Sequence, residues 1–305
     1  MKAAFFLPEI ALSNTSLTEK TEGWTAEKIF AKIGVAERHV AGPDETALDL
    51  AENACRKLFD ECGVSPQEID FLVLCTQSSE YRLPSTSCLL QNRLKIPVRS
   101  GALTIDHGCS GFVYGLAVAK GLIAGGMAKN VLLVTAETYS KYIPEDDLSL
   151  RSIFGDGASA TLVDEEVAAK IGHFHFGTDG SGAEKLIVRD ERLSMDGPEI
   201  FAFSLGIAPE TVKSVLAKNK LTVDDIDLFV FHQANKYMLR TIQKVLELPE
   251  EKFYIDLRNT GNTVSGTIPI ALCQLNEAGR LRPGMKVLLM GFGVGLSWGA
   301  TVITI

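Results

Sequence analysis

A weak internal repeat constrains the fold of this chain more than any other feature of its sequence. The segment VSPQEIDFLVLCTQS, which begins at Val64, resembles LTVDDIDLFVFHQAN, which begins at Leu221, and their Ile-Asp pairs lie about 157 residues apart. A second pair, NVLLVTAE from Asn130 and KVLLMGFG from Lys286, repeats at a spacing of about 156 residues. Two matches at nearly the same offset indicate a duplicated architecture.

Strand-like and helix-like segments alternate within each half of the chain. Apolar periodicity predicts helices at 48–62, 84–94, 111–123 and 268–278, with two more that begin at 209 and 235. Short apolar runs predict strands at 71–75, 103–106, 131–136, 228–231, 253–256 and 287–290. Strands without polar alternation suit parallel sheets that helices cover on both faces. We therefore predict an α/β fold of two duplicated halves, 1–167 and 168–305.

Composition excludes several classes of protein. The 305 residues are 46% hydrophobic and 22% charged, which favours a large folded core over disorder. The net charge of −8 does not favour nucleic-acid binding. Pro8 and Glu9 interrupt the apolar start of the chain, and no run reaches the roughly 18 apolar residues of a membrane span. We expect a cytoplasmic protein with reduced thiols and no membrane segment.

Cys109 is the candidate nucleophile. It follows a strand predicted to end at Asp106 and opens an apolar helix, with Gly108 and Gly111 on either side. The partial positive charge of a helix N-terminus lowers a thiol pKa and favours the thiolate. A buried structural cysteine is the alternative and, for an isolated cysteine, the commoner case. The strand–turn–helix context and the small neighbours favour the nucleophile, because they let a substrate approach the sulfur.

His232 and Asn262 are the candidate partners of this thiol. His232 follows the strand 228–231, and the equivalent strand ends of a duplicated sheet converge at one crevice. Asn262 lies beyond the strand that answers the one before Cys109, and its amide donates hydrogen bonds without titrating. A histidine that serves only the core is the alternative for His232. Asn259 competes with Asn262 but lies closer to the strand.

The glycine-rich segment GFGVGLSWGA, 291–300, does not match the dinucleotide-binding pattern GxGxxG. The position of the acidic residue expected about 20 residues later would lie beyond Ile305. A loop that presents a backbone N–H to a carbonyl oxygen fits better. A helix-activated thiol, a histidine, an amide donor and such a loop suit thioester chemistry through an acyl-cysteine.

The motifs DHGCSGFVYGL, FHQAN, NTGNTVSGTIPIAL, GFGVGLSWGA, IFGDGASA and GVAERHVA resemble the β-ketoacyl-acyl-carrier-protein synthase III family of the thiolase superfamily. The resemblance implies a thiolase-like five-layered α-β-α-β-α fold and a homodimer. It implies that Cys109 accepts an acyl group from acyl-coenzyme A or an acyl carrier protein, and that a malonyl group on acyl carrier protein decarboxylates and attacks it. His232 and Asn262 would hold the malonyl thioester. The backbone N–H groups of Cys109 and Val294 would form the oxyanion hole, with Phe292 near the malonyl carboxylate. No metal and no cofactor beyond these substrates is expected.

The residues that the resemblance places on the donor side depart from the family pattern. Trp24 resembles the tryptophan that stacks on the coenzyme A adenine, Lys32 replaces an arginine at the nucleotide end, and Leu148 replaces a second arginine. Leu83 replaces a bulky aromatic residue at the end of the acyl pocket. The carrier-protein contacts that the resemblance implies are Gln233, Lys236, Tyr237 and Arg240, where Tyr237 takes the place of a basic residue. These departures favour a carrier-bound donor or a specialised pathway, and an acyl pocket that accepts groups other than acetyl.

Two other functions stay open at this point. The chain could pass the acyl group from Cys109 to an alcohol or amine without decarboxylation, or serve as a non-catalytic ketosynthase-like partner subunit. The identity of the donor, its chain length and the pathway, fatty acid or polyketide, are also open. Among the remaining candidates, we predict that His107 points away from the site, that His173 and His175 lie on a solvated strand face, and that Asp156 supports the site from a turn.

Overall fold

The computed structural model describes residues 2–19 and 23–305. The strands are β1 Ala3–Phe6, β2 Ile10–Ser13, β3 Glu37–Val40, β4 Phe71–Cys75, β5 Gly101–Ile105, β6 Val131–Glu137, β7 Gly157–Val163, β8 Ile171–Thr178, β9 Leu186–Arg189, β10 Arg192–Met195, β11 Leu228–Phe231, β12 Lys286–Gly293 and β13 Ser297–Thr304. The α-helices are α1 Asn14–Thr18, α2 Ala26–Ile33, α3 Ala47–Cys62, α4 Thr86–Arg93, α5 Gly111–Ala124, α6 Leu148–Arg151, α7 Glu165–Lys170, α8 Gly197–Asn219, α9 Lys236–Val245 and α10 Thr267–Glu277.

Most helices begin and end where side chains satisfy the free backbone groups. The helix α3 begins with a capping box between Thr46 and Asp49, and Gly63 ends it in the left-handed conformation. Asn235 caps α9 by accepting a hydrogen bond from the Met238 N–H at 2.8 Å. These local signals explain why the sequence predicted both helices at nearly the observed positions.

Two large sheets carry the fold. The first has the strand order β1-β7-β6-β4-β5, with β4 parallel to both β5 and β6. The second has the order β11-β12-β13-β8, with β11 parallel to β12 and the other pairs antiparallel. The strands β4, β6, β7 and β1 of the first sheet therefore correspond in order to β11, β12, β13 and β8 of the second.

Helices divide the molecule into five layers. The helices α3 and α4 pack against the outer face of the first sheet, and α8, with α9 beside it, covers the outer face of the second. Between the sheets, α5 contacts strands of both, and α10 contacts β7 and β11. Three clusters of buried apolar side chains fill the spaces between these layers, and one of them joins both sheets through residues such as Val73 and Leu289. The predicted five-layered fold from two duplicated halves is thus confirmed. The division predicted between residues 167 and 168 falls inside α7, which joins the two sheets.

The strand predicted at 253–256 is wrong. This segment makes only an isolated parallel bridge between Phe229 and Phe253, at the place that β5 occupies beside β4 in the first sheet. The side chain of Gln233 replaces the missing strand pairing, because its Nε2 donates to the Tyr254 carbonyl and its Oε1 accepts from the Asp256 N–H at 2.9 Å. A side-chain amide can satisfy one donor and one acceptor, so it substitutes for one backbone pair.

The helix predicted to begin at residue 209 also differs from the observed one. It is α8, which begins at Gly197, where the Asp196 side chain accepts a hydrogen bond from the Glu199 N–H, and Pro209 lies inside it. Pro209 is exposed, and a proline inside a helix removes a single hydrogen bond of the helix backbone. By length and composition α8 could cross a membrane, yet it packs along β8 and β13, as core helices that meet the same criterion do.

Arg38 provides a test of how the N-terminal segments are held. Its guanidinium is fully buried without a carboxylate and donates to the Leu12 carbonyl, the Asn14 Oδ1 and the Ser152 carbonyl. Burial lowers the pKa of Arg38 to about 10, so the group is charged at neutral pH. We expect Arg38→Met to lower the free energy of unfolding by about 3 kcal/mol, since three buried oxygens lose their donor.

Urea unfolding followed by circular dichroism measures this change. Arg56 is the matched control, because its ion pair with Glu52 lies on the surface of α3. Arg56→Met should change the unfolding free energy by less than about 0.5 kcal/mol. Equal losses of unfolding free energy in Arg38→Met and Arg56→Met would contradict the prediction that the buried hydrogen bonds of Arg38 stabilise the fold.

Candidate active site

Cys109, His232 and Asn262 line one cavity of about 580 Å³, which we call the main cavity. Cys109 comes from the end of the first sheet, and the other two follow β11 and the bridge at Phe253 in the second. Phe292 and Gly293, at the end of β12, complete the inner wall. The three candidate residues therefore converge as their positions in the repeat predicted, although their chemical roles remain predictions.

Cys109 lies in the turn between β5 and α5 and is only 6% exposed. The cap residue of α5 is Ser110, so the thiol stands one residue before the helix cap and does not open the helix itself. Burial raises the pKa of the Cys109 thiol to about 12, although the backbone N–H groups of Val294 and Cys109 bond to the sulfur and oppose this. The predicted lowering of the thiol pKa is wrong, because burial in an apolar wall outweighs these local dipoles.

Glycines allow the end of β12 to approach the nucleophile closely. A methyl group on Gly293 would lie 2.8 Å from the Cys109 sulfur, and one on Gly291 would lie 2.7 Å from the Cys109 carbonyl. Ser110 and Ser297 join the same two segments through a hydrogen bond of 2.7 Å between their hydroxyls. The backbone N–H of Val294 bonds to the Cys109 sulfur, and the oxyanion-hole role that the resemblance implies for Val294 remains a prediction.

His232 is buried and neutral. Burial lowers its pKa to about 3, while the Val264 backbone carbonyl opposes this shift. Its ring meets Phe292 edge to face at 5.7 Å, and its Nδ1 lies 2.7 Å from the Thr267 hydroxyl. A hydroxyl can accept or donate at Nδ1, so Nε2 can hold either a lone pair or a proton. That freedom suits a group that takes up a proton and returns it.

Asn262 presents a hydrogen-bond donor to the main cavity. Its Oδ1 accepts from the Val264 N–H at 2.9 Å, which leaves Nδ2 as the group that faces substrate. Backbone hydrogen bonds between Asn262 and both Ile153 and Gly155 hold this loop against the turn IFGDG at 153–157. Val264 has φ +55° although it is β-branched and buried, a strained conformation of about 1–3 kcal/mol. Val264 bonds to Asn262 through its N–H and to His232 through its carbonyl, so it links these two residues on one wall of the cavity.

Glu137 is a site residue that sequence reasoning missed. It is fully buried at the end of β6 and accepts hydrogen bonds from the Gln77 N–H, the Ser78 hydroxyl and the Ser265 hydroxyl. Burial raises its pKa to about 8. Ser265 belongs to the Asn262 loop, so Glu137 joins the first half to the second. The repeat aligns Glu137 with Gly293, and that correspondence was the signal available in the sequence.

The other histidine candidates and Asp156 do not line the main cavity. The His107 ring stacks on Tyr114 at 4.3 Å, away from Cys109, as predicted. Asp156 is buried and accepts hydrogen bonds from the Ala41 and Ser140 N–H groups and from the Ser140 hydroxyl, which agrees with a supporting role. His173 and His175 lie on β8. Within residues 2–19 and 23–305, no cluster of three or more His, Cys, Asp or Glu side chains could hold a metal ion.

Some of the residues that the resemblance places near the acyl donor line the mouth of the main cavity, and others lie outside this cavity. Trp24 and Lys32 line the main cavity together with Tyr237, which is 60% exposed and stacks on Phe201. Leu83 does not line the main cavity and is 83% exposed. An acyl-pocket role for Leu83 would therefore require a second copy of the chain.

The carrier-protein contacts need one correction. Gln233 is buried and bonded to the Phe231 and Tyr254 carbonyls, so it cannot reach a docked protein, and its predicted contact is wrong. Arg240 is half-buried and already paired with Glu250. Lys236 is exposed, with its Nζ 6.0 Å from the centre of the Phe30 ring. Lys236 and Tyr237 are therefore the predicted contacts that are exposed, and of the two Tyr237 lines the main cavity.

Comparisons with known proteins agree on one family. Residues 103–180 match the model of 3-oxoacyl-[acyl-carrier-protein] synthase III, and residues 216–305 match the model of its C-terminal part. The β-ketoacyl-[acyl-carrier-protein] synthase III of Clostridium tetani is 33% identical over 98% of this chain and 95% of its own length. A crystal structure of a 3-oxoacyl-(acyl-carrier-protein) synthase III is 45% identical with a TM-score of 0.97, over 99% of this chain and 98% of the other. The priming β-ketosynthase of the R1128 polyketide pathway is 30% identical with a TM-score of 0.90, over 100% and 95%.

The raised thiol pKa predicts how Cys109 reacts with iodoacetamide. A thiol with a pKa of about 12 beside an imidazole with a pKa of about 3 remains a neutral pair between these values. We expect the alkylation rate of Cys109, followed by intact mass, to show no inflection between pH 6 and pH 9. A thiol activated by the helix alone would instead show a rate that rises with pH and levels off above its pKa. An inflection near pH 7 would therefore contradict the burial effect.

Gly293→Ala tests the close approach of β12 to the nucleophile. The added methyl would clash with the Cys109 sulfur, and we expect alkylation and acylation of Cys109 to slow roughly a hundredfold. Gly180→Ala is the control, since a methyl at Gly180 meets no atom within 4 Å. The control should react at the parent rate under the same conditions, and unchanged reactivity of Gly293→Ala would rule out the proposed contact.

Proposed function

Since this chain belongs to the β-ketoacyl-[acyl-carrier-protein] synthase III family, we propose that Cys109 is the acyl-accepting nucleophile of a decarboxylating condensation. The chain is a condensing enzyme of the type that serves fatty acid biosynthesis. One observation supports the assignment of residues above the others: a thiol from the first half and a histidine and amide from the second line the same cavity. Thioester chemistry needs these three groups within reach of one acyl carbon.

The first step transfers an acyl group from a thioester to Cys109. His232 takes the proton from the Cys109 thiol as the sulfur forms a bond to the acyl carbon, and the oxygen becomes an oxyanion. The N–H groups of Cys109 and Val294 stabilise that oxyanion. The bond to the donor sulfur then breaks, and His232 returns the proton to the departing thiolate. The neutral His232 suits this exchange, because an imidazolium could not accept the first proton.

The second step condenses the acyl group with malonyl-acyl carrier protein. The malonyl carboxylate leaves as carbon dioxide, and the two electrons of the broken bond form an enolate. Asn262 Nδ2 and a proton on His232 Nε2 donate to the enolate oxygen. The enolate carbon bonds to the acyl carbon, the bond to Cys109 breaks, and the Cys109 thiolate that leaves takes up one proton from solvent. Phe292 contributes an apolar wall that favours loss of the charged carboxylate.

An acyl carrier protein would deliver its substrate at the mouth of the main cavity. Lys32 lines this mouth and the exposed Lys236 precedes Tyr237 in the chain, so both supply positive charge for an acidic carrier in a chain whose net charge is −8. The exposed Tyr237 adds an apolar contact beside them. This mixed surface supports a carrier-bound donor as well as a coenzyme A thioester.

A homodimer is the proposed assembly. The strand β5 is an edge of the first sheet, and its Leu103 is exposed. The nearby segments that flank it expose Leu83 and Val98. An unpaired edge strand beside exposed apolar side chains is a surface that soluble proteins normally cover. Pairing of two β5 strands would cover it, and it would bring Leu83 to a neighbouring copy.

Intact mass spectrometry with a panel of acyl-coenzyme A and acyl-carrier thioesters tests the proposal. We expect one acyl adduct per chain in the parent protein and none in Cys109→Ala. Addition of malonyl-acyl carrier protein should then release carbon dioxide and remove the adduct. Asn262→Ala should keep the adduct but slow carbon dioxide release roughly 10²–10³-fold, the usual effect of one lost oxyanion donor.

The same measurements separate the alternatives. Loss of the adduct to an alcohol or amine without carbon dioxide would favour an acyltransferase. The absence of an adduct from every donor would favour a non-catalytic partner subunit. Asn259→Ala is the matched control for Asn262→Ala. Asn259 does not line the main cavity, and the Val264 N–H bonds to Asn262 and not to Asn259.

A further inference from the structure

A second cavity lies behind the oxyanion-hole loop. It has a volume of about 360 Å³ and is bounded by Val294 and Gly295, with Leu186 shared between it and the main cavity. We call it the distal cavity. The main cavity opens past Trp24 and Tyr237, so the long arm of a thioester donor has its path there. The distal cavity is then the space on the opposite side of the loop.

The wall between the distal cavity and the nucleophile is thin. A methyl group on Gly108, the residue before Cys109, would lie 2.5 Å from the Gln77 Oε1 and 2.6 Å from the Val294 side chain. Gln77 and Val294 thus flank the backbone that carries the thiol, and both also line the distal cavity. An acyl group on the Cys109 sulfur, with its oxygen at the Val294 N–H, would direct its chain along these two residues.

The lining of this cavity is polar in a specific arrangement. The Tyr139 hydroxyl donates to the Gln77 Oε1 at 2.7 Å, and this orients the amide so that Nε2 remains to donate. The Gln77 backbone is held as well, since its N–H donates to the buried Glu137 and its carbonyl accepts from the Tyr142 hydroxyl. Gln77 is therefore a fixed hydrogen-bond donor and not a mobile surface side chain.

Asp106 supplies the complementary acceptor. It lies three residues before Cys109, lines the distal cavity and is exposed at its edge. A hydroxyl group can accept from an amide and donate to a carboxylate at the same time. A hydrocarbon chain beside the half-buried Gln77 would leave its amide without a partner, which costs free energy. A carboxylate on the chain would be repelled by Asp106.

The acyl chain on Cys109 lies in the distal cavity under the proposed function, and we propose that Gln77 selects a chain that bears a neutral hydroxyl group. This inference rests on the proposed function and names its acyl substrate class. Gln77 is the specificity-determining residue, Asp106 is its acceptor partner, and Tyr139 is a positioning residue that acts through the Gln77 amide.

Single-turnover acylation of the full-length protein tests the proposal. Butyryl-, 3-hydroxybutyryl-, 4-hydroxybutyryl- and succinyl-coenzyme A serve as probes, and the rate of the Cys109 adduct is followed by intact mass. We expect the parent protein to prefer one of the hydroxybutyryl donors over both butyryl and succinyl donors. In Gln77→Leu the ratio of hydroxybutyryl to butyryl rates should fall at least about tenfold, the effect of one lost hydrogen bond.

Two further variants keep the result interpretable if Gln77→Leu folds poorly. Tyr139→Phe leaves the ring in place and frees the amide, so the same ratio should fall by a smaller factor. Ser79→Ala changes an exposed hydroxyl two residues from Gln77 and should leave the ratio unchanged. A parent protein that prefers butyryl or succinyl donors, or a ratio that neither Gln77→Leu nor Tyr139→Phe alters, would overturn the proposal. Complete absence of a Cys109 adduct with every probe would instead count against the proposed function itself.

Discussion

The approach of β12 to the turn that carries Cys109 is the contact on which the rest of this structure depends. Gly291 and Gly293 let the strand lie against the Cys109 backbone and sulfur, closer than any side chain would permit. The hydrogen bond between Ser110 and Ser297, and the one between Glu137 and Ser265, hold the two halves at that distance. Because the thiol belongs to one half and its partners to the other, the site exists only while this interface is intact.

Burial at that interface determines the chemistry. It raises the pKa of the Cys109 thiol to about 12 and lowers that of His232 to about 3, so both groups rest in their neutral forms. A neutral pair avoids the cost of an isolated buried charge and still allows a proton to pass between the two groups during reaction. The strained Val264 and the thin wall at Gly108 follow from the same close packing.

Local sequence patterns were sufficient to predict most of the helices and strands of the fold. Apolar runs and capping residues predicted β4, β11 and α3 at almost their observed bounds. The errors came from long-range contacts. The segment 253–256 is not a strand because the side chain of Gln233 takes up its hydrogen bonds, and no local signal reveals a partner about 20 residues away. The start of α8 was predicted at Pro209, but the helix begins at Gly197 and Pro209 lies inside it.

By itself, the sequence determined that the chain is a duplicated α/β protein and that Cys109, His232 and Asn262 follow strand-like segments of its two repeats. Strand and helix periodicity is a local property, and a repeat of about 157 residues carries the symmetry with it. Only the tertiary structure decided which groups are charged, that the buried Glu137 bonds to both Gln77 and Ser265, and that Gln233 is buried. Charge and hydrogen bonding inside a protein depend on burial and on neighbours from distant segments, and those are set only when the two halves pack together.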